Sequence, residues 1–281
     1  MTTTAEMTGR VVVLTGGTSG LGAAAAEEFA ARGARVVIAG RRVEQGLAVA
    51  TRLGPSVEFC RADVAEPDQV RSLIEGALDR HGRLDCLVNN AGGGGNPGPI
   101  GELDLELFRD TLDVHVLGMA AGIKYAARPM IERGAGSIIN VASVGGALGG
   151  WTPLDYAVAK AAVVQLTRCA AVELGEHGVR VNSISPGPIP TGIQLKSAGA
   201  SGDDAERNAD SLRPMFAQAL RDWQPMRRIG EPADVASVML WLAGDGAGFV
   251  NGQDIAVDGG ILAGRPASVA ARDYAALSAL V

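Results

Sequence analysis

Seven short runs rich in β-branched residues, separated by longer alanine-rich stretches, set the frame for this chain of 281 residues. The runs are RVVVLTG from Arg10, RVVIAG from Arg35, VEFCRAD from Val57, LDCLVNNAG from Leu84, GSIINVAS from Gly136, VRVNSISPG from Val179 and QDIAVDGG from Gln253. They are near-continuously apolar rather than alternating, the pattern of strands covered on both faces. The stretches between them have helical periodicity: one from Leu21 ending at Gly33, then 43–53, 67–80, 104–132, 154–176 and 231–243. Strand and helix in regular alternation predict an α/β fold, a doubly wound seven-stranded parallel sheet with helices on both faces.

No repeat or composition break marks a second domain, so residues 1–281 are expected to form a single domain with a core of about 8–262. Two segments stand outside the alternation. Residues 186–225 contain PGPIPTG and a polar stretch, and a connection of that length is usually functional or mobile. Residues 263–281 run on past the last strand, with Val269, Tyr274, Leu277 and Val281 at near-helical spacing.

Composition excludes several classes of function. Apolar residues make up 47% and aromatic residues 4%, so the core must be aliphatic. A net charge of -6 and a pI near 5.2 argue against a nucleic-acid surface. Cys60, Cys86 and Cys169 lack the spacing of a zinc site or redox pair and are expected to be buried thiols in a reducing compartment. The N-terminus has no signal-peptide core, and no apolar run reaches membrane-spanning length. The expectation is a cytoplasmic protein with no membrane, nucleic-acid or metal partner.

The first loop carries the first chemistry. TGGTSGLGAAAA follows the first strand and opens the first helix, with Gly16, Gly20 and Gly22 in the turn and Thr18, Ser19 and Leu21 between them. Glycine lets a backbone approach a pyrophosphate, and the helix N-terminus supplies free N–H groups and a positive dipole end. In this strand–loop–helix context the segment reads as the dinucleotide site of a Rossmann fold. The second strand ends at Gly40, where an acid would bind the ribose hydroxyls of NAD, and Arg41 and Arg42 follow. Loss of the acid and gain of guanidinium groups favour NADP(H), with NAD(H) the alternative. The arginines also suit a solvated helix start.

PLDYAVAKAAV, from Pro153, sets Tyr156 and Lys160 four apart among small residues, on one face of a helix. Together with TGGTSGLG, NNAG at 89–92, Ser143 and PG at 186–187, in this order, the pair resembles the short-chain dehydrogenase/reductase family over about residues 8–262. The resemblance implies an NAD(P)(H)-dependent oxidoreductase that interconverts a secondary alcohol and a ketone. Tyr156 would be the acid/base, Lys160 would hold the nicotinamide ribose and lower the phenol pKa, and Ser143 would bind the substrate oxygen. A free phenol titrates near 10, and a nearby cation favours the phenolate. Asp63 and Val64 would border the adenine. Asn90, Ala91 and Gly92 would line the cofactor, with Pro186, Gly187, Ile189 and Thr191 near the nicotinamide. A homotetramer is the assembly implied.

One position departs from the family. DVHVLG places His115 where an asparagine usually holds a proton-relaying water. His81 and His177 precede glycines at helix ends, where a C-cap accounts for them, whereas His115 lies inside a helix and suits either proton relay or buried packing. The substrate pocket is expected to draw on Gly145, Trp151, Met215 and Phe216, with Trp223 nearby, and to take an uncharged cyclic or aromatic alcohol or ketone. Other functions on this fold are a non-catalytic nucleotide-binding redox sensor and a dehydratase or epimerase.

Overall fold

The computed structural model describes residues 6–197, 200 and 202–279. Its strands are β1 (Val11–Thr15), β2 (Arg35–Gly40), β3 (Val57–Arg61), β4 (Cys86–Asn89), β5 (Gly136–Val141), β6 (Val179–Pro186) and β7 (Asp254–Val257). They form one parallel seven-stranded sheet in the order β3-β2-β1-β4-β5-β6-β7. The helices are α1 (Gly20–Ala31), α2 (Val43–Leu53), α3 (Pro67–His81), α4 (Leu105–Leu112), α5 (Gly118–Arg133), α6 (Leu154–Gly175), α7 (Gly192–Ser197), α8 (Gly202–Arg207), α9 (Arg213–Ala219), α10 (Pro232–Ala243) and α11 (Ala267–Ser278).

Both faces of the sheet are covered, which explains the continuous apolar runs. Val12 and Leu14 of β1 enter a core with Ala25 and Phe29 of α1 and Val235 and Met239 of α10. Val13 points the other way, into a core with Leu73 of α3, Met130 of α5 and Leu174 of α6. Strand alternation thus assigns β1 to two cores at once. A buried polar chain ties this second face to the sheet. Asn89 Nδ2 donates to Asn140 Oδ1 at 2.9 Å, and Asn140 Nδ2 donates to Thr167 Oγ1 at 2.9 Å. Each amide finds a partner, so the chain fixes α6 in register without leaving a buried polar group unpaired.

The helix expected over 104–132 is interrupted. α4 ends at Leu112, Asp113–Leu117 form a π-helical turn, and α5 begins at Gly118. Such turns occur mostly inside helices at functional sites, and this one carries His115. The 186–225 connection contains α7, α8 and α9. Cys86 alone is a fully buried thiol, whereas Cys60 is partly buried and Cys169 is exposed on the outer side of α6. Tyr274 and Leu277 of α11 are exposed, Val269 is buried, and Val281 lies outside the described residues. Among the described residues no helix is long and apolar enough to cross a membrane.

Candidate active site

β1 pairs with β2 on one side and β4 on the other, so chain connections leave it in opposite directions and open a crevice at its C-terminal edge. A cavity of about 550 Å³ occupies that edge. Gly16, Ser19, Gly20 and Leu21 line it after β1, Asn90, Ala91 and Gly92 after β4, and Pro186, Gly187, Ile189 and Thr191 after β6. The turn requires glycine at two places. Gly16 has φ +68°, and a Cβ at Gly22 would lie 2.1 Å from the Gly16 carbonyl oxygen. Asn90 Nδ2 donates to the Thr15 and Gly16 carbonyls at 3.1 and 3.0 Å, bracing the loop from β4. A backbone held this close over a helix N-terminus fits a dinucleotide pyrophosphate.

β2 ends at Gly40, where the sequence places the ribose. A Cβ there would meet the Thr18 methyl at 2.9 Å, and buried Thr18 fills the place instead of facing the cavity. Arg41 is 75% exposed and lies 3.8 Å from the Asp63 carboxylate. Arg42 Nη2 donates to Ser19 Oγ at 3.4 Å. Val64 is buried against Gly118.

Ser143, Tyr156, Lys160 and His115 all line the cavity. Ser143 lies two residues after β5, and its Oγ accepts from the Gly145 N–H at 3.1 Å. Its hydroxyl also acts on the Tyr156 phenol, pulling the phenol pKa down. Lys160, one helical turn beyond Tyr156, is buried and donates from Nζ to the Val141 carbonyl at 2.6 Å. Burial pulls its pKa down to about 7. The lowered phenol pKa expected from the sequence is not what the folded chain produces. Burial raises the pKa of Tyr156, the Ser143 hydrogen bond acting in the opposite direction. A lysine that titrates at about 7 is uncharged at the pH where the phenol titrates, so it does not oppose that burial.

His115 is 1% exposed. Its Nε2 lies 3.1 Å from both the N and the O of Gly93, while Nδ1 has no hydrogen-bond partner among the described residues. Burial, then the Lys160 charge, lower its pKa well below the usual imidazole value, and the Gly93 hydrogen bond opposes them.

Trp151 and Phe216 line the cavity, with Trp151 packed edge-on against Trp223 at 5.4 Å between centroids. Met215 does not. It is 53% exposed, because it and its neighbour Phe216 leave α9 in different directions. Gly145 is also absent from the lining. A Cβ there would lie 2.7 Å from Thr152, so it packs inward and serves through the N–H that Ser143 accepts. Sequence reasoning missed Asp155, whose buried carboxylate accepts from Asn96, Thr111 and the Tyr156 N–H. The only sequence signal was an acid in the first turn of a helix, where the dipole suffices to explain one.

Residues 16–262 match the family model described as enoyl-(acyl carrier protein) reductase. The maize sex determination protein tasselseed-2 is 40% identical, over 92% of this chain and 83% of that one. The 2,5-dichloro-2,5-cyclohexadiene-1,4-diol dehydrogenase of Sphingobium indicum is 38% identical, over 92% of this chain and 99% of that one. A solved short-chain type dehydrogenase/reductase from Mycobacterium ulcerans superposes with a TM-score of 0.81 at 34% identity, covering 93% of this chain and 92% of that one. With that match over most of its length and relatives of this kind, the chain belongs to the short-chain dehydrogenase/reductase family of NAD(P)(H)-dependent oxidoreductases, which interconvert secondary alcohols and ketones.

Proposed function

We propose that this oxidoreductase acts on an uncharged cyclic secondary alcohol or its ketone, with Tyr156 as acid/base, and prefers NADP(H). The observation that carries the reading is the convergence of Ser143, Tyr156 and Lys160 on one cavity whose outer wall is formed by Trp151, Phe216 and Leu220. Lys160 is the only Lys, Arg, Asp or Glu among the described residues lining it, and with Lys160 engaged at the ribose no other such group is left to pair with a charged substrate. The Sphingobium relative acts on a cyclic diol by its name.

In reduction, the Tyr156 hydroxyl donates its proton to the carbonyl oxygen, and Ser143 Oγ–H hydrogen-bonds the same oxygen. The nicotinamide cofactor supplies the hydride when bound. Lys160 would hold the ribose hydroxyls of the bound cofactor and return a proton to Tyr156. His115, which lines the same cavity with Nδ1 unpartnered among the described residues, would support that proton path. In oxidation the same groups act in reverse, with Tyr156 taking the alcohol proton.

The preference for NADP(H) rests on Gly40 in place of an acid and on Arg41 and Arg42 flanking the loop. A 2′-phosphate would draw Arg41 from its long contact with Asp63 into a bidentate pair. A panel of cyclic alcohols and ketones assayed with both cofactors tests the reading, and the absence of turnover with every carbonyl would leave the redox-sensor alternative. A homotetramer in the cytoplasm completes the proposal. Val172 on α6, Trp241 on α10 and Phe249 leave apolar surface for such an assembly, and light scattering checks the mass.

A further inference from the structure

NNAGGGGNPG joins β4 to α4, and a run of four glycines has no conformation of its own. Yet Gly92 and Gly94 form part of the cavity wall. Something outside the loop must hold it, and two side chains do. At Gly93 the holder is His115. At Asn96 it is Asp155.

The Asp155 carboxylate is 1% exposed and is met by four donors. The Asn96 N–H approaches its two oxygens at 3.1 and 3.0 Å, and Asn96 Nδ2 donates to Oδ2 at 2.8 Å. Thr111 Oγ1 donates to Oδ2 at 2.7 Å, and the Tyr156 N–H donates to Oδ1 at 2.8 Å. Burial alone would raise the carboxyl pKa, but the bonds from Thr111, Asn96 and Tyr156 more than offset it and keep the group ionised. Asn96 Nδ2 reaches on to Thr111 Oγ1 at 3.2 Å and to the Leu107 carbonyl at 3.3 Å. One carboxylate therefore joins the glycine loop, α4 and the start of α6.

The loop is drawn hard onto the catalytic tyrosine. Gly95 has φ +76°, and a Cβ there would lie 2.6 Å from Asp155 Oδ1 and 2.7 Å from Tyr156 Cβ. Backbone in that conformation and that close admits only glycine. We infer that Asp155 is a positioning residue, which clamps the 93–96 backbone through Asn96 and Thr111 and so sets both the aim of Tyr156 and the cavity wall facing the substrate. This rests on the proposed role of Tyr156. A dipole-stabilising acid at a helix start would need none of these long-range partners.

The test compares Asp155→Asn, Asp155→Ala and Thr111→Val with Ser137→Ala. Ser137 donates to the Leu242 carbonyl at 2.9 Å in the buried core and touches nothing in the site. Asp155→Asn keeps the shape but turns a donor toward Asn96 Nδ2. It should lower kcat/KM about tenfold or more, because small misplacements of reacting groups are costly. Its dissociation constant for NADPH, read by fluorescence, should change less than twofold. The amides of residues 93–96 and 98 should exchange with deuterium faster in the cofactor-free protein. Thr111→Val should move both readouts in the same direction by less, while Ser137→Ala should lower the melting temperature and neither readout. If Asp155→Ala does not fold, Asp155→Asn and Thr111→Val decide. Wild-type kcat/KM in Asp155→Asn well below its melting temperature, or unchanged loop exchange, overturns the inference. Tyr156→Phe separates the two readings: turnover in that variant sinks the proposed chemistry, while loop exchange still tests the clamp.

Discussion

The His115 imidazole stands edge-on to the Tyr156 phenol, ring centroids 5.3 Å apart and planes crossing at 84°. A Cβ at Gly92 would lie 2.4 Å from His115 Cε1, so the imidazole fills the space between the β4 loop and the Tyr156 ring. Its pKa lies well below the usual value, chiefly through burial. The folded state then binds fewer protons than the unfolded one as pH falls below about 6.5, so stability is lost on the acid side. His115→Asn should remove that slope from a plot of melting temperature against pH and stay active. His115→Leu should lose about 10- to 100-fold in rate, the lower range for a positioned proton-transfer group. Wild-type rates for the leucine variant at every pH would make His115 a packing residue.

Lys160 has an opposite consequence for stability and activity. Its pKa is about 7 in the folded chain and about 10.4 in an unfolded one, so the unfolded state binds more protons between those values. Stability should rise with pH across that window and fall as pH drops toward 7. Holding the amine against its preference costs roughly 4 kcal/mol at neutrality by that difference. Lys160→Met removes this cost and leaves the Val141 carbonyl unpaired, a loss of about 1–3 kcal/mol. Cofactor-free Lys160→Met should melt a few degrees higher than wild type at pH 7 and be inactive. A lower melting temperature would show that burial does not disfavour the ammonium.

Tyr156→Phe should reduce the rate by about 10²- to 10⁴-fold, the contribution of a positioned acid. NADPH binding by fluorescence titration should persist, since Lys160 and the glycine loop are untouched. Ser143→Ala would remove the proposed hydrogen bond to the substrate oxygen and also uncouple the Gly145 N–H. Its loss should be smaller and fall mainly on kcat/KM. A phenylalanine variant as fast as wild type would exclude tyrosine acid/base chemistry.

Cofactor choice should follow the arginines. Arg41→Ala should weaken NADPH by about 1.5–3 kcal/mol, the value of hydrogen bonds to a charged group, and leave NADH nearly unchanged. Equal losses for both nucleotides, or a wild-type preference for NADH, would refute the assignment.

The C-terminal helix reaches the site indirectly. Arg227 Nη2 donates to Ser268 Oγ at 2.7 Å, and Arg272 approaches Asp222 at 3.4 Å. Asp222 adjoins Trp223, which packs on Trp151 of the cavity wall. An exposed ion pair such as Arg272–Asp222 contributes about 0–1 kcal/mol, so losing it with residues 265–281 should raise the substrate KM about fivefold at most. An unchanged KM and an unchanged oligomer mass together would mean that the tail supports neither the pocket nor assembly.

Features whose cause is local were legible in the sequence. Strand burial shows in a continuous run such as VVVLT, because Val12 and Leu14 of β1 meet one core and Val13 between them meets the other. The glycine loop and the Tyr156–Lys160 pair are matters of spacing within one turn or one helix face. Features that depend on elements distant in the chain were not legible. Asp155 meets Asn96 and Thr111 across 59 and 44 residues, and His115 meets Gly93 across 22. The π turn that carries His115 leaves no mark in a pattern that reads as continuous helix. Met215 and Phe216 are neighbours that part company because α9 turns one of them away from the cavity. The titration of Tyr156 was misjudged because a nearby cation can be read from spacing, whereas the cost of burying phenol and ammonium together exists only once the sheet, α6 and the β4 loop have closed around them.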